Sequence, residues 1–270
     1  MKPIIISADD FAQSAGIDNA IIALIEQGRL SATSCMTLSP RWSDAAKLIT
    51  PEIRQKADIG LHLDFTQYAQ TIRHSLPVLI ARTLSHSLST SKIRSAINAQ
   101  LDSFEHELNT GPDYVDGHQH AHQLPQIRDV LLEVLGTRYK NQLPWIRIAN
   151  PPVQDGFKAR VIKGLGAAQL GKQAQIAGFR YSQHLLGVYA FEGVAEDYKK
   201  QLDAWLGMAK MTDGMSALMC HPALVDGPQD NNDPIYSARL NEYSVFNSEQ
   251  FTQLMQKHQL SLARGQAITQ

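Results

Sequence analysis

The sequence predicts an α/β protein built on a parallel sheet covered by helices, and three observations carry that prediction. Short apolar runs alternate with segments of helical periodicity along most of the chain. Runs such as Ile4-Ile5-Ile6 and Ser216 to Cys220 are apolar without interruption, as strands buried on both faces require. Polar residues stand where these runs end, and in both closed barrels and open doubly wound sheets ligands bind at the carboxyl ends of the strands. With 270 residues, 43% of them hydrophobic, the chain is long enough for one large domain over residues 1–270.

The elements follow in order. Pro3 to Ala8 is a buried strand emerging at Asp9-Asp10, and Ser14 to Gln27 is a helix with Ile17, Ile21, Leu24 and Ile25 on one stripe and Gly28 as its stop. Ala32 to Leu38 forms a second strand, after which Ser43 is placed to cap a short helix carrying Ala46 and Leu48. Asp58 to Phe65 alternates as a third strand, with His62 and Asp64 on one face. From Thr66 to Ser91 periodicity lapses, which suggests an excursion (66–91) beside a cleft. A helix resumes near Ser91, with Ile93, Ile97, Leu101, Phe104 and Leu108 aligned, and ends at Gly111-Pro112.

The His-rich segment comes next. Pro125 then opens a helix closed by Gly136, and Leu143 to Ala149 reads as a strand with Arg147 as its odd member. Pro151 to Gly178 is weakly helical, and Phe179 to Val188 is ambiguous. Ala195 to Ala209 is a helix, Ser216 to Cys220 a strand ending at His221-Pro222, and Val225 to Asn247, rich in Asp, Asn, Gly and Pro, reads as a surface loop. A last helix holds Phe251, Leu254 and Met255, before a strand near Leu260 to Ala263.

Lys plus Arg number 25 against 26 Asp plus Glu, so the net charge of −1 gives no broad pull toward nucleic acid or anionic lipid. A neutral or locally charged small substrate fits better. The two cysteines, Cys35 and Cys220, lack paired zinc-site spacing and read as reduced structural thiols in the cytoplasm. No window is long and apolar enough for membrane insertion, and no targeting segment is visible.

Asp113-Tyr-Val-Asp-Gly-His-Gln-His-Ala-His122 sets His118, His120 and His122 at every second position behind Asp116. In an extended segment all three imidazoles and Asp116 project into one space, and such a row makes a divalent cation the first hypothesis. Side chains two apart can share an ion and those four apart hardly can, so one or two of the row ligate and the rest serve substrate or orientation. Asp9 and Asp10 suit a division of labour in which one carboxylate ligates and the other acts as a base. His62, the row, Arg147 and His221 reach the same rim, where His221 suits a proton donor to a leaving amine. Arg147 pairs with Asp9 or binds substrate.

Ser-Ala-Asp-Asp-Phe (7 to 11), Ile-Gly-Leu-His-Leu (59 to 63), Asp-Gly-His-Gln-His-Ala-His (116 to 122) and Cys-His-Pro (220 to 222) resemble, in this order, the YdjC-like carbohydrate deacetylases, which include the ChbG and HpnK groups. The resemblance implies a (β/α) barrel-like fold, a distorted TIM-type barrel related to polysaccharide deacetylases. It also implies one divalent metal ion, for which Mg2+ and Zn2+ are the candidates, and hydrolysis of an N-acetyl group on a sugar; the chain is expected to act as a monomer or homodimer. By motif position Asp10, His62 and His118 look like the ligands and Asp9 like the general base. The chain reads Asp-Asp-Phe-Ala-Gln where family members often continue Asp-Asp-Phe-Gly, so the reaction class carries over and the named sugar does not. The rival readings are a multinuclear metal phosphoesterase or amidohydrolase, and a non-catalytic sugar-binding protein.

Overall fold

The computed structural model describes residues 1–152, 156–226 and 233–269. Among them nine strands pair, all in parallel: β1 (Lys2–Phe11), β2 (Ala32–Cys35), β3 (Asp58–Leu63), β4 (Tyr114–Gly117), β5 (Trp145–Arg147), β6 (Tyr181–Ser182), β7 (His184–Leu186), β8 (Ser216–Cys220) and β9 (Leu260–Leu262). Their order is β6-β5-β4-β3-β2-β1-β8-β7, with β9 beside the start of β1. The two ends of that path, β6 and β7, are successive in the chain and separated only by Gln183. The sheet therefore curls back on itself into a nearly closed parallel barrel, as expected, with helices on its outside.

Period-two alternation sorts the side chains. Ile4 and Ile6 join the large core between barrel and helices. Ile5 points inward and packs with Ala32, Tyr114, Trp145 and Ala217. Two residues further along the same strands the interior turns polar. Ser7 and Asp9 follow Ile5, Asp116 follows Tyr114, and Arg147 follows Trp145; all are buried. The barrel is thus plugged by aromatic and aliphatic groups at one end and lined with charge at the carboxyl end. On β3 the inward position between Asp58 and His62 is Gly60, where a Cβ would lie 2.4 Å from the Tyr114 ring. Only a residue without a side chain leaves room for that ring and its stacking partner Trp145, 4.3 Å away between centroids.

Several expectations are corrected. The excursion at 66–91 contains the helix Leu76–Leu84, and the following helix begins at Thr90, capped by Ser89. Ser43 lies inside the short helix Trp42–Ala45 and does not cap it. Gly136 is interior to the helix Ile127–Arg138. The segment read as loop from Val225 to Asn247 holds the helix Tyr236–Phe246, whereas residues 227–232 of it, like 153–155 of the weakly helical stretch, lie outside the described residues. No described helix is long and apolar enough to cross a membrane.

Candidate active site

Adjacent residues of a regular strand point to opposite faces, yet Asp9 and Asp10 both reach the mouth of the barrel. The reason is local. The pairing of β1 with β2 shifts register between Ala8 and Phe11, and Asp10 adopts φ 68°, so the strand bulges and turns the second carboxylate to the same side as the first. Ala12 follows with φ 78°, and its N–H donates to the buried Asp18 at 2.6 Å, which braces the turn.

The His-rich row is likewise not extended. Gly117 ends β4 and the chain enters a tight turn, His118–Gln123, in which Gln119 and His120 take left-handed conformations, φ 52° and 59°. The three imidazoles therefore diverge, contrary to the expectation that they share one face. His118 turns to Asp10, with Nδ1 3.2 Å from Oδ1. His120 lines the cavity, where burial and then the charge of Arg147 push it well below its ordinary value and leave it neutral. His122 turns away into the protein, 2.9 Å from the carbonyl oxygen of Arg147, and burial lowers it to about 4.

Asp10, His62 and His118 present ligand-type atoms within 4.8 Å of one another. His62 directs Nε2 toward Asp10 Oδ1 at 3.4 Å, because Nδ1 is held from behind by Asp116 Oδ1 at 2.7 Å and Ser34 Oγ at 3.1 Å. A carboxylate behind a histidine fixes its tautomer and raises its basicity, which is the usual support of a metal-binding imidazole. Burial opposes charge on His62, but Asp116 and Asp10 outweigh it and push the imidazole up to about 10. Burial likewise opposes the charge of Asp10, and Arg239 with the two imidazoles holds the carboxyl well below the usual range. Among the groups in direct contact, four carboxylates (Asp9, Asp10, Asp116, Asp233) face two guanidinium ions (Arg147, Arg239). With the His62 imidazole counted beside the two guanidinium ions, negative charge is still in excess, and it suits a divalent cation.

Arg147, 1% exposed, pairs with Asp9: Nη1 and Nη2 donate to its two oxygens at 2.6 and 2.7 Å, and Nη2 lies 2.8 Å from Asp116 Oδ2. Its pairing with Asp9 is bidentate, the geometry in which both oxygens are fixed at once. His221, at the end of β8, lies across the mouth with Nε2 3.9 Å from Asp9 Oδ2, and the Phe191 ring stands edge-on to it at 5.1 Å. Behind it the helix Tyr236–Phe246 contributes Glu242, which accepts the His221 backbone N–H at 2.5 Å and the Tyr189 hydroxyl at 2.6 Å. Burial drives His221 down to about 4 and Glu242 up to about 7.

Sequence reasoning missed Arg239 and Glu242 because it read their helix as loop. The available signal was Ala238, Arg239, Glu242, Val245 and Phe246 at helical spacing, a buried stripe on which two positions are charged. Asp64, expected to share the polar face of His62, instead accepts backbone N–H groups of Thr66, Gln67, Tyr68 and Ala69 and shapes the loop beside the site.

These groups open into a cavity of about 710 Å³. Its floor is polar, with Asp9, Asp10, His62, His118 and His221, and its walls include Leu76, Ile80, Phe157, Leu165 and Phe191. Such a space, apolar around a few convergent polar groups, takes a small-molecule ligand.

The model of the family described as YdjC-like protein matches residues 3–257. The carbohydrate deacetylase of Halalkalibacterium halodurans is 27% identical over 254 residues, covering 90% of this chain and 94% of the relative. That of Vibrio cholerae is 24% identical, covering 98% and 96%. In three dimensions the chain resembles a provisionally assigned cellobiose-phosphate cleavage protein of Enterococcus faecalis, with a TM-score of 0.75 at 19% identity and 98% of both chains covered. A peptidoglycan N-acetylglucosamine deacetylase shares the fold more distantly, at TM-score 0.52 and 9% identity, covering 97% of this chain and 85% of that one.

Proposed function

The chain belongs to the YdjC-like family, and from that premise we propose that it is a metal-dependent carbohydrate deacetylase, hydrolysing the amide of an N-acetylated sugar. The observation that carries the reading is the convergence of Asp10, His62 and His118 beside the Arg147-bound Asp9 and His221 on the floor of one cavity. Two imidazole nitrogens and a carboxylate oxygen form a donor set suited to Zn2+ more than to Mg2+, which prefers oxygen alone. When bound, the ion polarises the acetyl carbonyl and offsets the charge that develops on its oxygen.

The chain's own residues move the proton. Arg147 holds both oxygens of Asp9 in place, so the carboxylate meets an attacking water in one orientation. His221 begins neutral, because burial lowers it to about 4. Nε2 of His221 lies 3.9 Å from Asp9 Oδ2, a gap one water bridges; the proton taken from the attacking water by Asp9 is relayed through it to His221 and ends on the departing amine nitrogen, and Asp9 returns as carboxylate. Acetate and the free amino sugar leave. His120, neutral and lining the cavity, is placed to meet the sugar.

A multinuclear phosphoesterase or amidohydrolase fits less well. The other metal-compatible group among the described residues, Asp9, His62 and Asp116, shares His62, and both its carboxylates are engaged by Arg147. The two buried free thiols, Cys35 and Cys220, suit the cytoplasm. The test is acetate release from N-acetylated mono- and oligosaccharides by the wild-type chain and by Asp9→Asn. Loss of about 10²–10⁴-fold in kcat with metal binding retained is expected. Full activity of the variant removes Asp9 from its role, and absence of acetate from every sugar favours a binding protein.

A further inference from the structure

Arg239 lies outside every motif of the sequence, on the helix Tyr236–Phe246, and is 2% exposed. Its Nη2 donates to Asp10 Oδ2 at 2.7 Å, and its Nε donates to Asp233 Oδ2 at 2.6 Å. The opposite oxygen of Asp10, Oδ1, faces His118 at 3.2 Å and His62 at 3.4 Å. The two oxygens are thus divided between a guanidinium and the two imidazoles. A free carboxylate binds a cation through one oxygen or through both, whereas one whose second oxygen is already held has a single oxygen to offer.

We propose that Arg239 is a positioning residue that restricts Asp10 to one metal-binding oxygen. This rests on the reading above, in which Asp10, His62 and His118 hold the ion. Arg239 competes with the ion for Asp10 and places a positive charge directly behind it, so it weakens metal binding while keeping a coordination position open for the reaction. The planar fork matters, since one guanidinium spans Asp10 and Asp233 together. Removing it lets Asp10 turn both oxygens to the ion, which binds more tightly in a site less able to turn over. A side chain that merely scaffolds the fold has the opposite signature: its loss weakens the metal along with the activity.

The experiment measures cobalt(II) binding by calorimetry on the metal-stripped full chain, with kcat and KM for acetate release from N-acetylated sugars, for the wild type, Arg239→Met and Arg239→Lys. The Met variant is expected to bind cobalt about tenfold more tightly and to lose about tenfold in kcat with little change in KM, and the Lys variant, which keeps the charge without the fork, to fall between. Unchanged or weaker cobalt binding by a cooperatively folded Met variant overturns the proposal. Should the Met variant not fold, the Lys variant decides, and cobalt binding no tighter than wild type overturns it. A wild-type chain whose cobalt binding is absent, or unaffected by His62→Ala, instead overturns the metal site itself, and the proposal with it.

Discussion

Replacing Asp116 by Asn keeps the shape of the side chain and removes its charge from the centre of the site. Two contacts are altered. Oδ1 accepts from His62 Nδ1 at 2.7 Å and so aims Nε2 at Asp10, and Oδ2 lies 2.8 Å from Arg147. Burial opposes its charge, but Arg147 and His62 hold Asp116 down to about 2, so the carboxylate is charged across the whole working range. Losing the support of a metal-binding histidine costs about 10–100-fold in metal affinity, or about 1.4–2.8 kcal/mol. Breaking the buried pair with Arg147 costs about 3 kcal/mol of folding stability. Calorimetric titration of the stripped protein with Zn2+ reads the first figure, and urea denaturation at neutral pH reads the second. Unchanged zinc affinity refutes the supporting role of Asp116. A loss beyond about 1,000-fold refutes it from the other side, because such a loss marks a direct ligand.

Glu242 gives a pH signature. Burial raises its folded pKa to about 7 from the ordinary 4.5, so its contribution to stability is fully present below about pH 4.5 and is lost as pH rises through 7. The stability advantage of the wild type over Glu242→Gln is therefore expected to be about 3 kcal/mol greater at pH 4.5 than at pH 8.5, by denaturant titration at the two values; an advantage independent of pH counts against the buried acid. Gly117→Ala tests the turn that delivers His118. A Cβ there would sit 2.8 Å from Nδ1 and 2.9 Å from the backbone nitrogen of His122. About 1–3 kcal/mol of stability and a measurable part of the zinc affinity are expected to be lost together, and retention of both shows that the turn yields without cost.

The polar rim was legible in the sequence because it obeys a simple rule: an uninterrupted apolar strand followed at once by a charged or imidazole group. Asp10, His62 and His118, separated by 52 and 56 positions, are brought together on that rule, and Arg147 pairs with Asp9 as one of the two expectations held. Local conformation was not legible. Nothing in Asp-Gly-His-Gln-His announces two consecutive non-glycine residues in the left-handed region, which tertiary packing imposes against backbone preference. The same holds for Asp10. The helix carrying Arg239 and Glu242 was hidden for a different reason, since its inward stripe is charged to serve the site and so lacks the apolar contrast by which buried helices are found.

The seam at Gln183 has a practical consequence for anyone cutting or rearranging this chain. Most sheets end in two separate borders that are shielded independently, but here a single short stretch, Tyr181 to Leu186, satisfies the neighbours on both sides, β5 through Ile146 and β8 through Ser216. New termini placed there by circular permutation, or a protease nick, would bare both borders at once and offer them as templates for pairing with another molecule. Permutants opened at that point are expected to precipitate.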